Sequence, residues 1–472
     1  MHSAEMPPAS TNLSGRLRTH FNSLACSISD MLYPHPSQPV MAADPAILRI
    51  SPAPGNCELS VCSARSHYRD DNRRSLPGPA PAYTGPRLDN PGGEAGILRR
   101  RTFLQAATGA ALASAALVSA ALVSAALARA KGVAGRSVLF MGGTGFIGPH
   151  MVRALLRAGC EVTLFNRGRS NPHLFPGLRR IRGDRTTADI EQLAGTRWDV
   201  IVDTSCYLPR AVDLLMAAVD RDALQQYVLI SSVLAYRDFS RPGLREDAAL
   251  ARMDEDPQSE DVSRYYGPLK AQCEQRAELA LPGRVTRLRC GQIVGPGDSA
   301  DQFIYWPQRI ATGAEVLAPG SGDGLLQLID ARDLADWVVH CIDAGLTGPY
   351  NTTGPPGRYT FGDMLQLCRQ RLNPRAQLTW VPADFLARQG IAARTDLPLW
   401  VPPDAPDAGA WQIDTSLASA HGLAQRPLGD TIVAAHDWFQ TLSPQRRGTL
   451  KAGISARRQA QVLAAWHAAQ GA

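Results

Sequence analysis

The fold is decided by the stretch Val138-Leu139-Phe140-Met141-Gly142-Gly143-Thr144-Gly145-Phe146-Ile147-Gly148. An apolar run leads into a glycine turn, and residues 151–156 continue with the pattern of a helix. Gly142 allows a sharp turn, Gly145 allows the backbone to approach a pyrophosphate, and Gly148 allows the helix to pack closely on its strand. The first turn of such a helix also offers free N–H groups to phosphate. The stretch therefore predicts the strand, phosphate turn and helix of a dinucleotide-binding fold, with an ordinary glycine-rich turn as the alternative.

The sequence before this stretch does not have the composition of a folded domain. Residues 1–95 are rich in Ser, Pro, Ala and Arg and lack periodicity, which predicts a disordered extension. Residues 96–130 contain Leu98-Arg99-Arg100-Arg101-Thr102-Phe103-Leu104, a long Ala-rich apolar stretch and the small-residue sequence Ala128-Arg129-Ala130. This order is typical of a twin-arginine export signal, with an uncleaved membrane anchor as the alternative. We therefore expect a periplasmic or otherwise exported protein that uses the twin-arginine translocation machinery and meets the membrane only through this segment.

The charge and cysteine pattern of the remaining chain exclude two classes of site. Residues 131–472 hold 37 Lys and Arg against 35 Asp and Glu, a net charge of only +2. A net charge this small does not indicate a nucleic-acid-binding surface. The six cysteines of this part form no Cys-x-x-Cys or Cys/His cluster, so we expect no metal site and assign to the core Cys160, Cys206, Cys273, Cys290, Cys341 and Cys368.

From Gly135 onward, strand and helix patterns alternate as in a parallel sheet. After the first strand, the predicted strands are residues 161–165, 180–185, 199–204 and 227–232. The sequence therefore predicts an α/β fold with a doubly wound parallel sheet of the Rossmann type in residues 131–290. Residues 291–442 are expected to form a smaller C-terminal substrate-binding region interleaved with that sheet, and residues 443–472 a C-terminal helical tail.

The residues at the strand ends bear on the choice of cofactor. Asn166-Arg167-Gly168-Arg169 stands where an NAD-selecting protein places Asp or Glu for the two ribose hydroxyls. Arginine there can pair with a 2′-phosphate, so NADP is favoured over NAD, unless these arginines are only solvated loop residues. Asp184 is expected near the adenine amino group. Thr204, Ser231 and Ser232 face the ligand crevice at the carboxyl ends of their strands.

Tyr266 and Lys270 carry the predicted chemistry. They lie four residues apart at the start of a predicted helix and therefore on one of its faces. A phenol with an ordinary pKa of about 10 needs a neighbouring cation to act as an acid or base near neutral pH, and Lys270 can supply that charge. The chain has three lysines and 11 tyrosines, so chance produces such a pair with odds of only about one in fourteen. The alternative is an ordinary surface pair at i and i+4.

Four motifs follow one another along the chain: residues 142–148, residues 230–236, the Tyr266/Lys270 pair and residues 288–297. In this order they resemble the extended short-chain dehydrogenases/reductases, the NAD(P)-dependent epimerase/dehydratase family, over roughly residues 136–440. The resemblance implies that Ser232, or as a near alternative Ser231, hydrogen-bonds the substrate oxygen. It also implies that Tyr266 transfers the proton, and that Lys270 lowers the pKa of Tyr266 and holds the nicotinamide ribose. The catalytic candidates are therefore Ser232, Tyr266 and Lys270, and the cofactor-binding candidates are Gly142, Thr144, Gly145, Phe146, Ile147, Gly148, Asn166, Arg167, Asp184, Thr204, Ser231, Tyr266 and Lys270.

Two departures from the family pattern limit the reaction. Sugar-nucleotide dehydratases of the family carry an acidic pair directly after the active-site hydroxyl residue, whereas this chain has Val233 and Leu234. Elimination is therefore disfavoured, which leaves epimerisation or ketone/alcohol redox chemistry on a sugar-like or other small substrate. The arginine-bearing turn also resembles the atypical branch that includes chloroplast stem-loop RNA-binding proteins, which keeps the fold and can lose catalysis. A non-catalytic NAD(P)-binding scaffold is therefore the alternative function, although Tyr266 and Lys270 are retained here.

The C-terminal third gives weaker indications. The segment Phe303-Ile304-Tyr305-Trp306-Pro307 offers either an aromatic surface for a sugar ring or apolar ligand, or simple core packing. Val462, Leu463 and Trp466 recur at helical spacing near the basic pair Arg457-Arg458, which predicts a docking or oligomer helix and leaves a homodimer open. Export would also separate the protein from the cellular NADP(H) pool. We therefore expect the cofactor to be tightly held and regenerated within each catalytic cycle.

Overall fold

The computed structural model describes residues 132–471. The predicted extension at 1–95 and the predicted export signal at 96–130 both lie outside the described residues. Within residues 132–471, no helix is both long and apolar enough to cross a membrane. The six cysteines of this part are buried free thiols. Among the same residues, no group of three or more His, Cys, Asp or Glu side chains is arranged to hold a metal ion.

A parallel sheet of seven strands forms the centre of the fold. The strands of the described residues are β1 (Ser137–Met141), β2 (Glu161–Asn166), β3 (Arg180–Arg182), β4 (Val200–Asp203), β5 (Gln226–Ser232), β6 (Val285–Cys290), β7 (Gln292–Val294), β8 (Glu315–Pro319), β9 (Leu325–Leu326), β10 (Leu328–Asp330), β11 (Gly348–Thr352), β12 (Tyr359–Thr360) and β13 (Gln377–Val381). The main sheet has the order β11-β6-β5-β4-β1-β2-β3, and all of its pairs are parallel. The winding reverses between β1 and β4, which is where such sheets bind their ligands. The predicted doubly wound fold class is confirmed.

Helices cover the main sheet and build most of the C-terminal region. They are α1 (Gly148–Arg157), α2 (Pro209–Ala218), α3 (Val262–Ala280), α4 (Tyr305–Thr312), α5 (Ala331–Asp343), α6 (Phe361–Leu372), α7 (Ala383–Arg388), α8 (Ser416–Ala420), α9 (Leu428–Gln440), α10 (Pro444–Arg447) and α11 (Ala456–Gln470). Short 3-10 helices span Ala188–Leu193, Val233–Ala235 and Ala408–Trp411. The helix that carries Tyr266 begins at Val262, earlier than the sequence predicts, because Asp261 caps it by accepting hydrogen bonds from the backbone N–H groups of Ser263 and Arg264.

Both faces of the main sheet are buried, which explains the continuous apolar runs of its strands. Val138 and Phe140 of β1 pack on one face against α1 and α5, whereas Leu139 and Met141 pack on the other face against α2 and α3. The chain also returns to the sheet after residue 290. There α5 covers one face, and β11 pairs with β6 along its whole length.

The aromatic segment of the C-terminal region belongs to a core. Phe303, Tyr305 and Trp306 are each at most 1% exposed. Trp306 meets Phe361 of α6 edge to face, with ring centroids 5.1 Å apart, and its indole N–H donates to Pro398 O at 2.7 Å. Of the two interpretations of this segment, the ligand surface is therefore wrong and core packing is right.

The C-terminal tail also packs on its own chain. Val462 and Leu463 of α11 are buried in the same core as α4 and α6. Trp466 meets Phe385 of α7 with ring centroids 5.0 Å apart. The apolar stripe is thus used within the chain, and the homodimer stays a prediction.

Candidate active site

The glycine turn between β1 and α1 has a geometry that requires glycine at three of its positions, one of them Gly143, which has a φ of 95° and a Cβ position 2.9 Å from Leu164 Cδ2. Gly142 has a φ of 109°, and a Cβ there would lie 2.7 Å from Thr204 Oγ1. A Cβ on Gly148 would lie 2.7 Å from the backbone of Gly143, so α1 starts in direct contact with the turn. Gly145 differs, because no described atom lies within 4 Å of its Cβ position. The turn therefore leaves open space at Gly145, where a pyrophosphate fits.

The N-terminus of α1 carries no competing negative charge. Its N-cap residue, Ile147, makes no side-chain capping hydrogen bond within the described residues, and the first helical turn holds no acidic side chain. The first N–H groups of a helix have no partner inside the helix and carry a partial positive charge. In α1, however, Pro149 has no N–H and His150 N donates to Ile147 O at 3.2 Å, so the partial positive charge of this helix end, together with the space at Gly145, is what favours a phosphate here.

The loop after β7 forms one wall of this turn. A Cβ on Gly297, whose φ is 97°, would lie 3.3 Å from the ring of Phe146. His150 of α1 lies 2.7 Å through its Nε2 from Pro296 O. Burial lowers the pKa of His150, although the hydrogen bond with Pro296 acts in the opposite direction, so the ring is neutral near pH 7. The C-terminal region thus contacts the phosphate turn directly.

Two asparagine side chains form hydrogen bonds with the backbone of the turn. Asn166 Nδ2 donates to Gly142 O at 2.7 Å, and Asn166 Oδ1 accepts from Gly168 N at 3.0 Å. Asn171 Nδ2 donates to Thr144 O at 2.9 Å. Asn166, predicted to bind the cofactor, thus positions the backbone of the turn. Asn171 was missed by the sequence analysis, and only its place in the polar loop after β2 could have indicated it.

The predicted ribose and adenine residues lie together at the ends of β2 and β3. Arg167 Nη1 is 3.9 Å from Asp184 Oδ2, and the Arg167 side chain is about half exposed. Asp184 also accepts hydrogen bonds from the backbone and hydroxyl of Thr186. Burial alone would raise the pKa of Asp184, but the Thr186 hydrogen bonds and Arg167 lower it. A cation with accessible N–H groups therefore stands at this edge of the site, next to an ionised carboxylate.

Ser232 and Tyr266 meet at the carboxyl end of β5. The Ser232 hydroxyl lies close enough to Tyr266 to lower the pKa of its phenol. Ser232 Oγ also accepts from Leu234 N at 3.1 Å, so its own proton is available to donate. Ser232 is buried and Tyr266 is partly exposed. Two hydroxyl groups therefore stand together at the carboxyl edge of the sheet.

Gly267 allows this contact, because α3 lies directly on the 3-10 turn Val233–Ala235. A Cβ on Gly267 would be only 2.1 Å from Leu234 O. Tyr265, just before the pair, has non-helical dihedrals (φ −118°, ψ 28°) and marks a kink in α3. Nothing in the sequence singles out Gly267, because a glycine inside a helix usually only weakens it.

Lys270 is held beneath this edge. It is 2% exposed, and its Nζ donates to Cys206 O at 2.7 Å and to Ile230 O at 2.9 Å. The same nitrogen lies 5.8 Å from the centre of the Tyr266 ring and 4.9 Å from the centre of the Tyr207 ring. The prediction that Tyr266 and Lys270 share one face of a helix agrees with this arrangement.

The pKa of Tyr266 moves in the direction opposite to the one the sequence implies. Burial raises it well above its ordinary value, and the nearby Ser232 hydroxyl opposes that change only in part. Burial is the largest effect on this pKa and outweighs any stabilisation by Lys270, whose Nζ donates to two backbone carbonyls and lies over the ring. Tyr266 is therefore a neutral phenol near pH 7, so it can donate a proton but must lose that proton before it can accept one.

Comparison with known proteins identifies the family. The sequence profile of the NAD dependent epimerase/dehydratase family matches residues 138–352. Epimerase family protein SDR39U1 of Bos taurus is 30% identical over 250 residues, an alignment that covers 47% of this chain and 76% of that protein. The chain belongs to the NAD-dependent epimerase/dehydratase family. Its function is accordingly of the NAD(P)-dependent epimerase or oxidoreductase type, with a nicotinamide cofactor and a small-molecule substrate.

Two further similarities cover less of the relative or have a lower identity. The chain is 30% identical over 217 residues to chloroplast stem-loop binding protein of 41 kDa b from Arabidopsis thaliana, covering 42% of this chain and 53% of that protein. It thus spans only about half the length of that relative. A crystal structure of human epimerase family protein SDR39U1 with NADPH is 21% identical and has a TM-score of 0.45, covering 64% of this chain and 99% of that one.

Two predicted site residues make hydrogen bonds within the protein. Ser231 Oγ donates to the buried Glu274 Oε1 at 2.5 Å, because adjacent residues of a strand point to opposite faces. Ser232, and not Ser231, therefore contacts Tyr266, and the assignment of Ser231 to the cofactor is corrected. Thr204 Oγ1 donates to Met141 O at 3.1 Å, so Thr204 braces the glycine turn with its hydroxyl.

A buried ionic network behind the site was missed entirely. Arg289 of β6 donates from Nε and Nη2 to the carboxylate of Glu274, and from Nη1 to the hydroxyl of Tyr236 at 3.0 Å. The Tyr236 hydroxyl in turn donates to Asn351 Oδ1 of β11 at 2.6 Å. Glu274 lies eight residues after Tyr266, which is the one sequence signal that could have placed it on the same face of α3. The network ties α3 to three strands of the sheet.

Proposed function

We propose that the protein is an NADP(H)-dependent epimerase or ketone/alcohol oxidoreductase that acts by hydride transfer at a hydroxyl or keto carbon of a sugar-like or other small substrate. The observation that carries this proposal is the placement of the Ser232 hydroxyl beside Tyr266, with the buried Lys270 Nζ 5.8 Å from the centre of the Tyr266 ring. Gly145 and the first turn of α1 would hold the pyrophosphate, and Lys270 the nicotinamide ribose. A bound nicotinamide supplies the donor or acceptor of hydride.

The chain's own residues handle the proton at the substrate oxygen. Tyr266 is neutral and donates its phenolic proton to a carbonyl oxygen that gains electron density during reduction. Ser232 has its acceptor side satisfied by Leu234 N, so it donates a hydrogen bond to the same oxygen. In the reverse direction Tyr266 must lose its proton before it can accept one from a hydroxyl. The ammonium of Lys270 then stabilises the phenolate.

Dehydration is not part of the proposal. Val233 and Leu234, directly after Ser232, are 4% and 8% exposed and have no ionisable group. Loss of water needs an acid and a base at the substrate in addition to the tyrosine. The apolar pair at these positions favours chemistry confined to one carbon and its oxygen.

The preference for NADP rests on Arg167 and Arg169. Both side chains are exposed at the end of β2, and no carboxylate follows that strand where it would repel a 2′-phosphate. We expect the double variant Arg167→Ala/Arg169→Ala to raise the Kd of NADPH about tenfold and to leave that of NADH unchanged, because a guanidinium–phosphate contact is lost only with NADPH. Equal Kd values for the two nucleotides in the unmodified protein would contradict the preference.

Export by the twin-arginine route is proposed from the sequence of residues 96–130 alone. Changing Arg100 and Arg101 to Lys should leave the protein in the cytoplasm, as cell fractionation would measure. Native mass spectrometry of the exported protein would report both the N-terminus and any retained NADP. A protein recovered without nucleotide, and active only with added NADPH, would contradict a cofactor that is held and regenerated within each cycle.

The decisive test separates an enzyme from a scaffold. Tyr266→Phe removes only the phenolic oxygen, so activity toward a panel of sugars, sugar nucleotides and simple ketones, followed by NADPH absorbance or product epimer, should fall at least about a hundredfold. Tyr265→Phe is the matched control, because the hydroxyl of Tyr265 has no hydrogen-bond partner among the described residues. If the two variants behave alike, or if the unmodified protein binds nucleotide but acts on nothing, the non-catalytic alternative is favoured.

A further inference from the structure

The ammonium of Lys270 lies against two phenol rings. Its Nζ is 4.9 Å from the centre of the Tyr207 ring and 5.8 Å from that of Tyr266. The two rings are themselves neighbours, with centroids 6.3 Å apart and planes inclined at 42°. Both distances from the ammonium are within the range of a cation–π contact, and Tyr207 is the closer ring. The sequence analysis assigned no role to Tyr207.

The loop after β4 presents Tyr207 and a hydrogen-bond acceptor for Lys270 at the same time. Cys206 O, one residue before Tyr207, accepts from Lys270 Nζ at 2.7 Å. Pro209, two residues after Tyr207, starts α2 and fixes the end of this loop. The second acceptor, Ile230 O, belongs to β5. Lys270 therefore meets the β4 loop through both a carbonyl and an aromatic face.

The position of the ammonium matters because its effect on Tyr266 depends on distance and on water. Lys270 is 2% exposed, whereas Tyr207 is partly exposed at the carboxyl edge of the sheet. An aromatic ring over an ammonium attracts it through the negative face of the ring and also keeps water away from it. A water molecule at the ammonium would weaken its stabilisation of a Tyr266 phenolate.

We propose that Tyr207 is a positioning residue, whose ring holds the Lys270 ammonium against the two carbonyl oxygens and shields it from water. The ring carries this role, and the hydroxyl does not. The inference rests on the proposed function only in that Lys270 assists Tyr266. The loop after β4 thereby belongs to the proton-transfer machinery, together with α3 and β5.

The lysine content of the chain provides a test that needs no substrate. Only Lys131, Lys270 and Lys451 are present, and Lys451 is exposed, so each reports separately after pulsed acetylation of the full-length protein with acetic anhydride and peptide mass spectrometry. The ratio of acetylation at Lys270 to that at Lys451 measures how well the ammonium is shielded. We expect Tyr207→Leu to raise this ratio about tenfold and Tyr207→Phe to leave it within about twofold, since only the first removes the ring.

A matched control separates shielding from general loosening of the fold. Tyr359→Leu makes the same change in the C-terminal region, where Tyr359 is partly buried and lies beneath Arg358. It should leave the Lys270 ratio unchanged at a similar loss of Tm. An unchanged ratio in Tyr207→Leu, or an equal rise in Tyr207→Phe or Tyr359→Leu, would overturn the proposal.

Activity gives the second readout. With a substrate from the panel, Tyr207→Leu should lower kcat about tenfold, move to higher pH the limb of the pH profile that reports ionisation of Tyr266, and leave KM for NADPH within about threefold, because Tyr266 then loses its proton less readily. Tyr207→Phe should restore both values. An unshifted pH profile in Tyr207→Leu would overturn the positioning role. An unmodified protein without any activity would overturn the proposed function instead, and the acetylation result would still decide the place of Tyr207.

Discussion

Replacement of Gly267 by alanine tests the contact that brings Tyr266 to Ser232. Gly267 follows Tyr266 directly, and a Cβ at this position would lie 2.1 Å from Leu234 O and 3.0 Å from the carbonyl carbon of the same residue. A carbon and a carbonyl oxygen ordinarily approach to about 3.3 Å. The start of α3 must therefore retreat from the 3-10 turn by more than about 1 Å, and Tyr266 moves with it.

The expected magnitude follows from three terms. Inside a helix, a change from glycine to alanine normally stabilises by about 1 kcal/mol. Overpacking against a backbone that cannot move costs about 1–3 kcal/mol, so the variant should be neutral to about 2 kcal/mol less stable. A displacement of about 1 Å at a reacting group costs on the order of a hundredfold in rate. Gly267→Ala should thus lose about a hundredfold in kcat while it remains folded.

The assay compares this variant with Gly177→Ala. Gly177 has no described atom within 4 Å of its Cβ position, so the same added methyl group meets nothing there. Activity, the Kd of NADPH and the denaturant midpoint are measured for both variants. A Gly267→Ala protein with full activity and increased stability would refute the reasoning, because it would show that α3 does not rest on Leu234.

Two other perturbations have definite outcomes. Glu274→Gln leaves the buried guanidinium of Arg289 without its charge partner, so the free energy of unfolding should fall by about 3–5 kcal/mol in a denaturant titration, while the folded protein keeps its affinity for NADPH. Asp298 gives a pH dependence: burial raises the pKa of this carboxyl to about 6, although N–H donors from Ala300 and Phe303 act against the shift. The folded protein then binds more protons than the unfolded chain between about pH 4 and 6, so this group's contribution to stability should decline by roughly 2–3 kcal/mol over that range as the pH rises.

Each of these outcomes has its own control. For Glu274, the variant Glu278→Gln changes a carboxylate in the same helix that is about one-third exposed, and it should cost less than about 1 kcal/mol. Equal losses in the two glutamine variants would argue against a buried network. For Asp298, subtraction of the Asp298→Asn stability curve from that of the unmodified protein should isolate the decline. A flat difference between pH 4 and 6 would contradict a carboxyl that is protonated in the fold.

The sequence determined the architecture because the relevant signals are local and periodic. Val138-Leu139-Phe140-Met141 alternates between two buried faces, so an unbroken apolar run predicts a central strand of a parallel sheet. The glycines at 142 and 148 are required by a positive φ and by a close backbone contact, both of which follow from the spacing itself. The separation of four residues between Tyr266 and Lys270 likewise placed both on one side of α3.

Several features of the site depend on contacts between distant segments, and the sequence could not supply them. Alternation along β5 indicates that Ser231 and Ser232 face opposite ways, but only the packing of α3 shows which one meets Tyr266. The direction of the pKa shift of Tyr266 depends on burial and on the two carbonyls that engage Lys270. The aromatic segment at 303–307 could serve a ligand or a core equally well by composition, and only its neighbours in α6 decide for the core.

The most direct test of the central claim is the affinity for NADPH of the full-length protein with Gly145 unchanged or replaced by valine, measured by quenching of NADPH fluorescence. Because no described atom lies within 4 Å of the Cβ position, Gly145→Val should shift Tm by less than about 2 °C. The added side chain fills the space assigned to the pyrophosphate, so the Kd should rise at least about a hundredfold. Unchanged affinity in Gly145→Val, or no binding of NADPH or NADH by the unmodified protein, would contradict the claim that a nicotinamide dinucleotide lies across this turn.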